Sequence, residues 1–169
     1  MYKIKVNDIE KGYSISGENN HFYNDQLPYK IGDIEPIKES YCKIGNAVYF
    51  GYLNKLHADV SSFEIVHPLV STLAKDKDHA YFKDQILEGA NPKTFQFLDV
   101  CLAPNRAYYL NCDIDFYAEG DRFAYFVGAP FRTKTIKTKD IDNFRFEVVD
   151  ERGYTFDNKY RYERGIKKN

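Results

Sequence analysis

The sequence is informative first through what it lacks. Its 169 residues include no tryptophan, one methionine, three cysteines and four histidines. No apolar run approaches the roughly eighteen residues that a membrane-spanning helix needs. The formal net charge is only −1, which excludes a strongly basic protein that binds nucleic acid through bulk electrostatics. The length and composition therefore favour one domain or one continuous repeat array.

The cysteines and the N-terminus bear on the cellular compartment. Cys42, Cys101 and Cys112 are an odd number, and each has an aromatic or aliphatic residue within two positions. We expect reduced, partly buried thiols. Residues 1–6 (MYKIKV) are typical of a strand and lack the apolar stretch of a signal peptide. These features predict a cytoplasmic protein.

Motifs for catalysis and metal binding are also missing from the sequence. It contains no G-x-S-x-G, H-E-x-x-H or C-x-x-C pattern. Asp113 and Asp115 would share one face of a strand, where two carboxylates can bind a hard cation or act as acid and base. They equally suit a solvent-facing edge that discourages pairing between molecules. We expect no enzyme, catalytic residue, metal or cofactor. An enzyme or metal-binding protein that uses Asp113 and Asp115 is the alternative.

Aromatic residues, in contrast, are abundant and recur in a pattern. The chain has 15 tyrosines and 13 phenylalanines, and NAVYF at 46–50 returns as HAYF at 79–82 and FAYF at 123–126. Such self-similarity is typical of small supersecondary units that stack to complete each other's core. We divide the chain into degenerate units at about 13–40, 41–72, 73–104, 105–116 (short), 117–149 and 150–169 (partial).

Within a unit, alternating aromatic and polar residues bounded by Asp, Asn and Gly indicate short strands joined by hairpins. The predicted fold is therefore mainly β, with repeated hairpins forming a twisted antiparallel layer or an open solenoid. Short helical turns are expected near 59–63, 92–95 and 139–144. Phe63, Phe95 and Phe144 should be buried. Each adjacent ring pair should place one residue in the core and one on the surface; the pairs are Tyr49/Phe50, Tyr81/Phe82, Tyr108/Tyr109 and Tyr125/Phe126.

The stretch AKDKDHAYF at 74–82, followed by GANPKTF at 89–95, resembles the DKNYY family of bacterial repeat proteins. The features shared with that family are a charged turn, an aromatic pair and a GADPxTF-like segment. The similarity is close over 73–98 and weaker over 41–66 and 117–149. The resemblance implies a bacterial, hairpin-rich, non-enzymatic module, and it brings no catalytic residue to transfer.

For function we expect a protein-binding module, and most concretely an immunity protein that neutralises a cognate bacterial toxin. Tyrosine is over-used at protein interfaces, and an acidic patch would steer a basic toxin domain. The candidate partner-binding residues are Asp113, Asp115, Tyr117, Glu119 and Asp121. The alternative is a scaffold repeat protein without a tight partner. The basic, tyrosine-rich segment 152–168 also resembles a surface that binds single-stranded nucleic acid. A half-buried strand shows the same alternation of tyrosine and charged residues, so we regard nucleic-acid binding as the weaker interpretation. We expect no membrane partner.

Overall fold

The computed structural model describes residues 5–6, 9–10, 13–16, 19–22, 25–26, 33–38, 40–51, 54–68, 70–100, 116–128, 132–150 and 152–168. Across these residues the protein is mainly β, as the sequence predicts, with a short 3₁₀ turn at Ile141–Asn143 between sheets. All strand pairs are antiparallel and join strands that follow one another in the chain. No helix of the described part is long and apolar enough to cross a membrane.

The strands form six small sheets. The first two are short: β1 (Lys5–Val6) with β2 (Ile9–Glu10), and β3 (Tyr13–Ser16), β4 (Asn19–Phe22) and β5 (Asp25–Gln26). Sheet I contains β6 (Ile34–Lys38), β7 (Tyr41–Ile44), β8 (Ala47–Phe50) and β9 (Asn54–Leu56). Sheet II contains β10 (Glu64–His67), β11 (Val70–Lys75), β12 (Ala80–Phe82) and β13 (Gln85–Ile86). Sheet III contains β14 (Gln96–Val100), β15 (Phe116–Glu119), β16 (Ala124–Gly128) and β17 (Arg132–Ile136), and sheet IV contains β18 (Arg145–Val149), β19 (Arg152–Phe156), β20 (Arg161–Glu163) and β21 (Ile166–Lys168).

Sheets I to IV stack in chain order, with a separate hydrophobic core between each neighbouring pair. The core between sheets I and II consists of Tyr41, Val48, Leu56, Phe63, Ala74 and Tyr81. The core between sheets II and III consists of Val70, Leu73, Ala80, Phe82, Leu87, Phe95, Phe116, Ala118, Tyr125 and Val127. The core between sheets III and IV consists of Tyr117, Ala124, Phe126, Ile136, Phe144 and Tyr162. Of the two predicted alternatives, a twisted antiparallel layer and an open solenoid, this stack of sheets corresponds to the second.

The predicted division of the aromatic pairs between core and surface is wrong. Tyr81 and Phe82 are both buried, as are Tyr125 and Phe126, while Tyr49 and Phe50 are both half-buried. Successive residues of a strand do point to opposite faces, so Tyr81 packs against sheet I and Phe82 packs against sheet III. Both residues are buried because a neighbouring sheet covers each face. The fourth pair, Tyr108/Tyr109, lies outside the described residues.

Three phenylalanines in the segments between sheets are buried, which confirms their prediction. Phe63, Phe95 and Phe144 expose only 7, 2 and 6% of their surface. Turns precede the first two, and the 3₁₀ turn directly precedes Phe144, close to the three places predicted. Each phenylalanine therefore closes the core between the two sheets that its segment joins.

The units predicted at 41–72, 73–104, 117–149 and 150–169 begin near the second strand of sheets I to IV, whereas the unit predicted at 13–40 begins with β3. The unit predicted at 73–104, for example, starts inside β11 and ends after β14. The short unit predicted at 105–116 falls almost wholly outside the described residues, between the first two strands of sheet III. Cys42 is a free, fully buried thiol whose pKa is raised to about 12 by burial, and Cys101 and Cys112 lie outside the described residues.

Candidate binding surface along the charged turns

One turn recurs with the same backbone in sheets II, III and IV. It spans residues 76–79, 120–123 and 157–160, and we refer to these segments as the charged turns. In each, the first residue's N–H donates to the carbonyl oxygen of the fourth: Asp76 to His79, Gly120 to Phe123 and Asp157 to Tyr160, at 2.9 to 3.0 Å. In each case the turn joins the second and third strands of its sheet. All three turns therefore lie on the same side of the stack, at one end of the strands.

The first residue of the turn in sheet II, Asp76, is a structural carboxylate. Its Oδ1 accepts the backbone N–H groups of Asp78 and His79 at 2.8 and 2.6 Å. Its Oδ2 accepts the N–H of Asp59 at 2.8 Å and the hydroxyl of Tyr81 at 2.9 Å. Burial alone would raise the pKa of Asp76, but these hydrogen bonds outweigh it and lower the pKa. The carboxylate thus ties the turn to the core and to the preceding segment.

Asp157 repeats this arrangement in sheet IV. Its Oδ1 accepts the N–H groups of Lys159 and Tyr160 at 2.8 and 2.7 Å. Its Oδ2 accepts the hydroxyls of Tyr162 at 2.6 Å and Thr138 at 2.7 Å. Burial opposes the charged form, yet the hydrogen bonds from Tyr162, Thr138 and the turn amides lower the pKa of Asp157 to about 2. The Asp157 carboxylate therefore accepts four hydrogen bonds, although the sequence alone does not distinguish it from the other charged residues.

Sheet III forms the same turn without this carboxylate. Gly120 stands at the first position, and Tyr125, the counterpart of Tyr81 and Tyr162, donates to the carbonyl oxygen of Glu88 at 3.2 Å instead. A neighbouring hydroxyl holds the turn, because the N–H of Asp121 donates to Thr94 Oγ1 at 3.1 Å. In sheet II the N–H of Lys77 likewise donates to Ser62 Oγ at 3.0 Å. The turn backbone is thus maintained by more than one set of contacts.

The outward side chains of the charged turns differ from sheet to sheet. The third position is exposed in all three and carries Asp78, Arg122 or Lys159. The fourth position is a half-buried ring in all three: His79, Phe123 or Tyr160. A constant backbone therefore presents a different charge and a different ring at each level of the stack.

The segments between sheets lie beside the charged turns at the same end. Asp59 contacts Asp76, and Asn91 Nδ2 donates to Asp121 Oδ2 at 2.9 Å. A shallow groove of about 530 Å³ continues from residues 61–64 across residues 75–77 to Pro92 and Lys93. Turns and connecting segments thus form one surface around sheet II.

The predicted partner-binding residues divide into three groups. Asp113 and Asp115 lie outside the described residues. Tyr117 is fully buried between sheets III and IV, and its hydroxyl lies 3.4 Å from the carbonyl oxygen of Tyr162. Glu119 and Asp121 come together at the charged turn of sheet III, and Asp121 is exposed. The turn, rather than the strand before it, places predicted residues at the surface.

Glu119 is only partly exposed and unusual in its bonding. Its Oε1 accepts a hydrogen bond from Gln96 Nε2 at 2.7 Å, whereas its Oε2 is buried and has no partner among the described residues. Burial raises the pKa of Glu119, and the bond from Gln96 opposes that rise. Of the two acidic residues at this turn, Asp121 is therefore the one more open to a partner.

The described residues contain no group of three or more metal-ligating side chains. Sequence reasoning missed the structural role of both aspartates, since it interpreted Asp76 as part of a charged turn and assigned no role to Asp157. The available signal was the five-residue spacing from Asp76 to Tyr81, which returns from Asp157 to Tyr162.

Comparison with known proteins agrees with this repeat structure. The model of the DKNYY family matches the chain twice, over residues 2–119 and over residues 41–168. No curated protein and no solved structure matches it significantly. The two overlapping matches span nearly the whole sequence, so the chain belongs to the DKNYY family.

Proposed function

We propose that this protein is a non-enzymatic protein-binding module that contacts its partner through the charged turns. The most concrete form of this proposal is an immunity protein that covers and neutralises a cognate bacterial toxin. The observation that carries the proposal is the constant turn backbone with exchanged outward side chains. Repeat proteins commonly bind through extended surfaces of this kind, and loops on a rigid scaffold carry recognition.

The bonding of the turns supports binding rather than bond-making. Both aspartates that could act as bases, Asp76 and Asp157, already accept four hydrogen bonds each from the protein. The outward rings His79, Phe123 and Tyr160 remain half-exposed. Rings of this kind bury contact area at low conformational cost, which suits interface anchors.

Charge supports a basic partner for the sheet III level of this surface. Residues 113–121 contain four carboxylates and no lysine or arginine. Two of them, Glu119 and Asp121, reach the charged turn of sheet III. Negative charge at such a site accelerates encounter with a basic protein.

The test replaces rings at two charged turns. The double variant His79→Ala/Phe123→Ala is expected to lose partner capture from the native host and, where that partner is a toxin, to lose protection of cells that co-express it. The matched control is Val148→Ala/Val149→Ala, which removes exposed side chains at the β18–β19 hairpin, at the opposite end of the sheets. Loss of capture by both variants, or by neither, would contradict the proposed surface.

The two alternatives predict different results. A scaffold protein without a tight partner predicts that the ring variants lower thermal stability and change no binding. An enzyme or metal protein that uses Asp113 and Asp115 predicts divalent-cation binding that Asp113→Asn abolishes. Calorimetry on these variants separates the three cases.

A further inference from the structure

A cleft lined with lysine lies beside the charged turn of sheet IV. Its volume is about 390 Å³, within the usual size of small-ligand sites. The lining residues are Lys137, Lys139, Asp140, Asp157, Lys159, Tyr160, Tyr162 and Lys167. Four lysines therefore line one cleft.

The acidic residues of the cleft are bonded within the protein. Asp157 accepts four hydrogen bonds, and Asp140 Oδ1 accepts one from Asn143 Nδ2 at 2.6 Å. Within the described part of the chain, none of the four lysines forms an ion pair with a carboxylate. The cleft therefore holds a surplus of positive charge.

Tyr160 stands among these lysines. Lys167 Nζ lies 3.3 Å from the centre of its ring, and Lys159 Nζ lies 5.3 Å from it. Interaction with the ammonium groups of Lys159 and Lys167 lowers the pKa of Tyr160. The ring of Tyr160 therefore makes cation–π contacts with two of the ammonium groups at the cleft.

The fold itself does not require these lysines. The equivalent positions around the charged turn of sheet II carry Ala58, Asp78 and Ile86 in place of Lys139, Lys159 and Lys167. The turn of sheet II forms the same backbone hydrogen bond with those residues. Like charges brought together cost stability, so lysines collected at one level and absent at the equivalent one point to a ligand.

We propose that this lysine cleft binds an anion with two or more linked phosphate groups. Phosphate oxygens accept hydrogen bonds from ammonium groups, and several lysines around one opening match several charged oxygens. A single phosphate would engage only part of this set, whereas linked phosphates present enough charged oxygens for more of the four lysines. The site is separate from the two turns tested above.

The test is titration calorimetry of the whole protein with pyrophosphate, tripolyphosphate and a nucleoside triphosphate at constant ionic strength. We expect binding of pyrophosphate, and a loss of about a hundredfold in Lys159→Gln/Lys167→Gln, because two charge-assisted contacts are removed. The control Lys55→Gln/Lys93→Gln makes the same change in net charge at exposed lysines of sheet I and of the segment between sheets II and III. Tighter binding of the nucleoside triphosphate would identify a nucleotide as the source of the phosphates.

A second readout follows the ring in the cleft. Bound phosphate neutralises the lysines, so the ultraviolet-detected ionisation of one tyrosine should move to higher pH on ligand addition. Tyr160→Phe should remove this signal and keep the protein folded. The proposal is overturned if no linked phosphate binds, or if the control variant loses as much affinity as the cleft variant.

Discussion

At the scale of single residues, the aspartate that opens a charged turn organises its surroundings. Asp157 joins two turn amides, a core tyrosine and a threonine from the preceding segment. A buried carboxylate with four donors is stable only while all of them remain in place. This explains why Asp157 lies beside the hydrophobic core without an ion pair among the residues that the structure describes.

We therefore predict that Asp157→Asn destabilises the protein by about 1–3 kcal/mol at neutral pH, since an amide cannot accept from all four donors. The folded-state pKa of Asp157 is about 2 and its ordinary value is 3.8, so its contribution to stability is present above about pH 4 and is lost as the pH falls through about 2. Chemical unfolding at several pH values should show a shallower loss of stability at acid pH in the variant. The loss that remains comes from the other carboxylates whose pKa is lowered, Asp76 and Asp59. Asp142→Asn, at an exposed carboxylate of the 3₁₀ turn, should behave like the wild type; an unchanged acid loss in Asp157→Asn would contradict the assignment.

At the scale of elements, the charged turn tolerates the absence of its carboxylate. Gly120 occupies the aspartate position in sheet III, and a Cβ added there would meet no atom closer than Thr94 Oγ1 at 3.6 Å. Its φ lies outside the left-handed region, so a side chain causes no backbone strain. The turn of sheet III therefore has room for the group that its neighbours possess.

This predicts that Gly120→Asp stabilises the protein by about 1 kcal/mol. The new carboxylate would accept the N–H groups of Arg122 and Phe123, and the unfolded chain would lose glycine's extra freedom. Gly120→Ala is the matched control, because it reduces the freedom of the unfolded chain without adding a carboxylate. Thermal unfolding should rank the aspartate variant above alanine and alanine above the wild type; an aspartate variant no more stable than alanine would contradict the argument.

The outer face of sheet IV differs from the faces buried inside the stack. Phe50, Phe82 and Phe126 follow the central tyrosine positions of sheets I to III, whereas Glu163 stands at that position in sheet IV. Arginines lie over rings on this face, with Arg161 5.0 Å from the Tyr154 ring and Arg145 5.5 Å from the Phe156 ring. Charged groups over aromatic rings make this face compatible with water.

At the scale of the whole molecule, the three cores are separate and each belongs to two sheets. Stability in such a stack is approximately a sum of unit terms and nearest-neighbour terms. A defect in one core should therefore weaken its own two sheets more than the distant ones.

Phe126→Ala tests this directly, since Phe126 lies in the core of sheets III and IV with its ring 5.5 Å from that of Tyr117. We expect a cost of about 3–5 kcal/mol and a loss of amide protection concentrated in sheets III and IV. Phe82→Ala, at the equivalent position one level earlier, should move that loss to sheets II and III. Hydrogen exchange read by mass spectrometry checks both, and uniform loss in the two variants would show one cooperative unit instead.

The sequence predicts the strands and three of the core residues, but it does not predict features that depend on how the sheets stack. Period-2 alternation and recurring rings predict strands, and the three connecting phenylalanines are identifiable because each follows a turn. The burial of both Tyr81 and Phe82 was not predictable from one strand, because it depends on a sheet covering each face. The lysine cleft draws Lys137 and Lys167 together from positions 30 residues apart, so spacing alone does not reveal it.

The four-donor aspartates separate two duties within a few residues. Asp76 and Asp157 hold the backbone, while the two positions that follow the second turn residue are left to vary. A dipeptide moved from one charged turn to another should therefore leave the turn backbone intact, so its two outward side chains can be exchanged between sheets without refolding the turn.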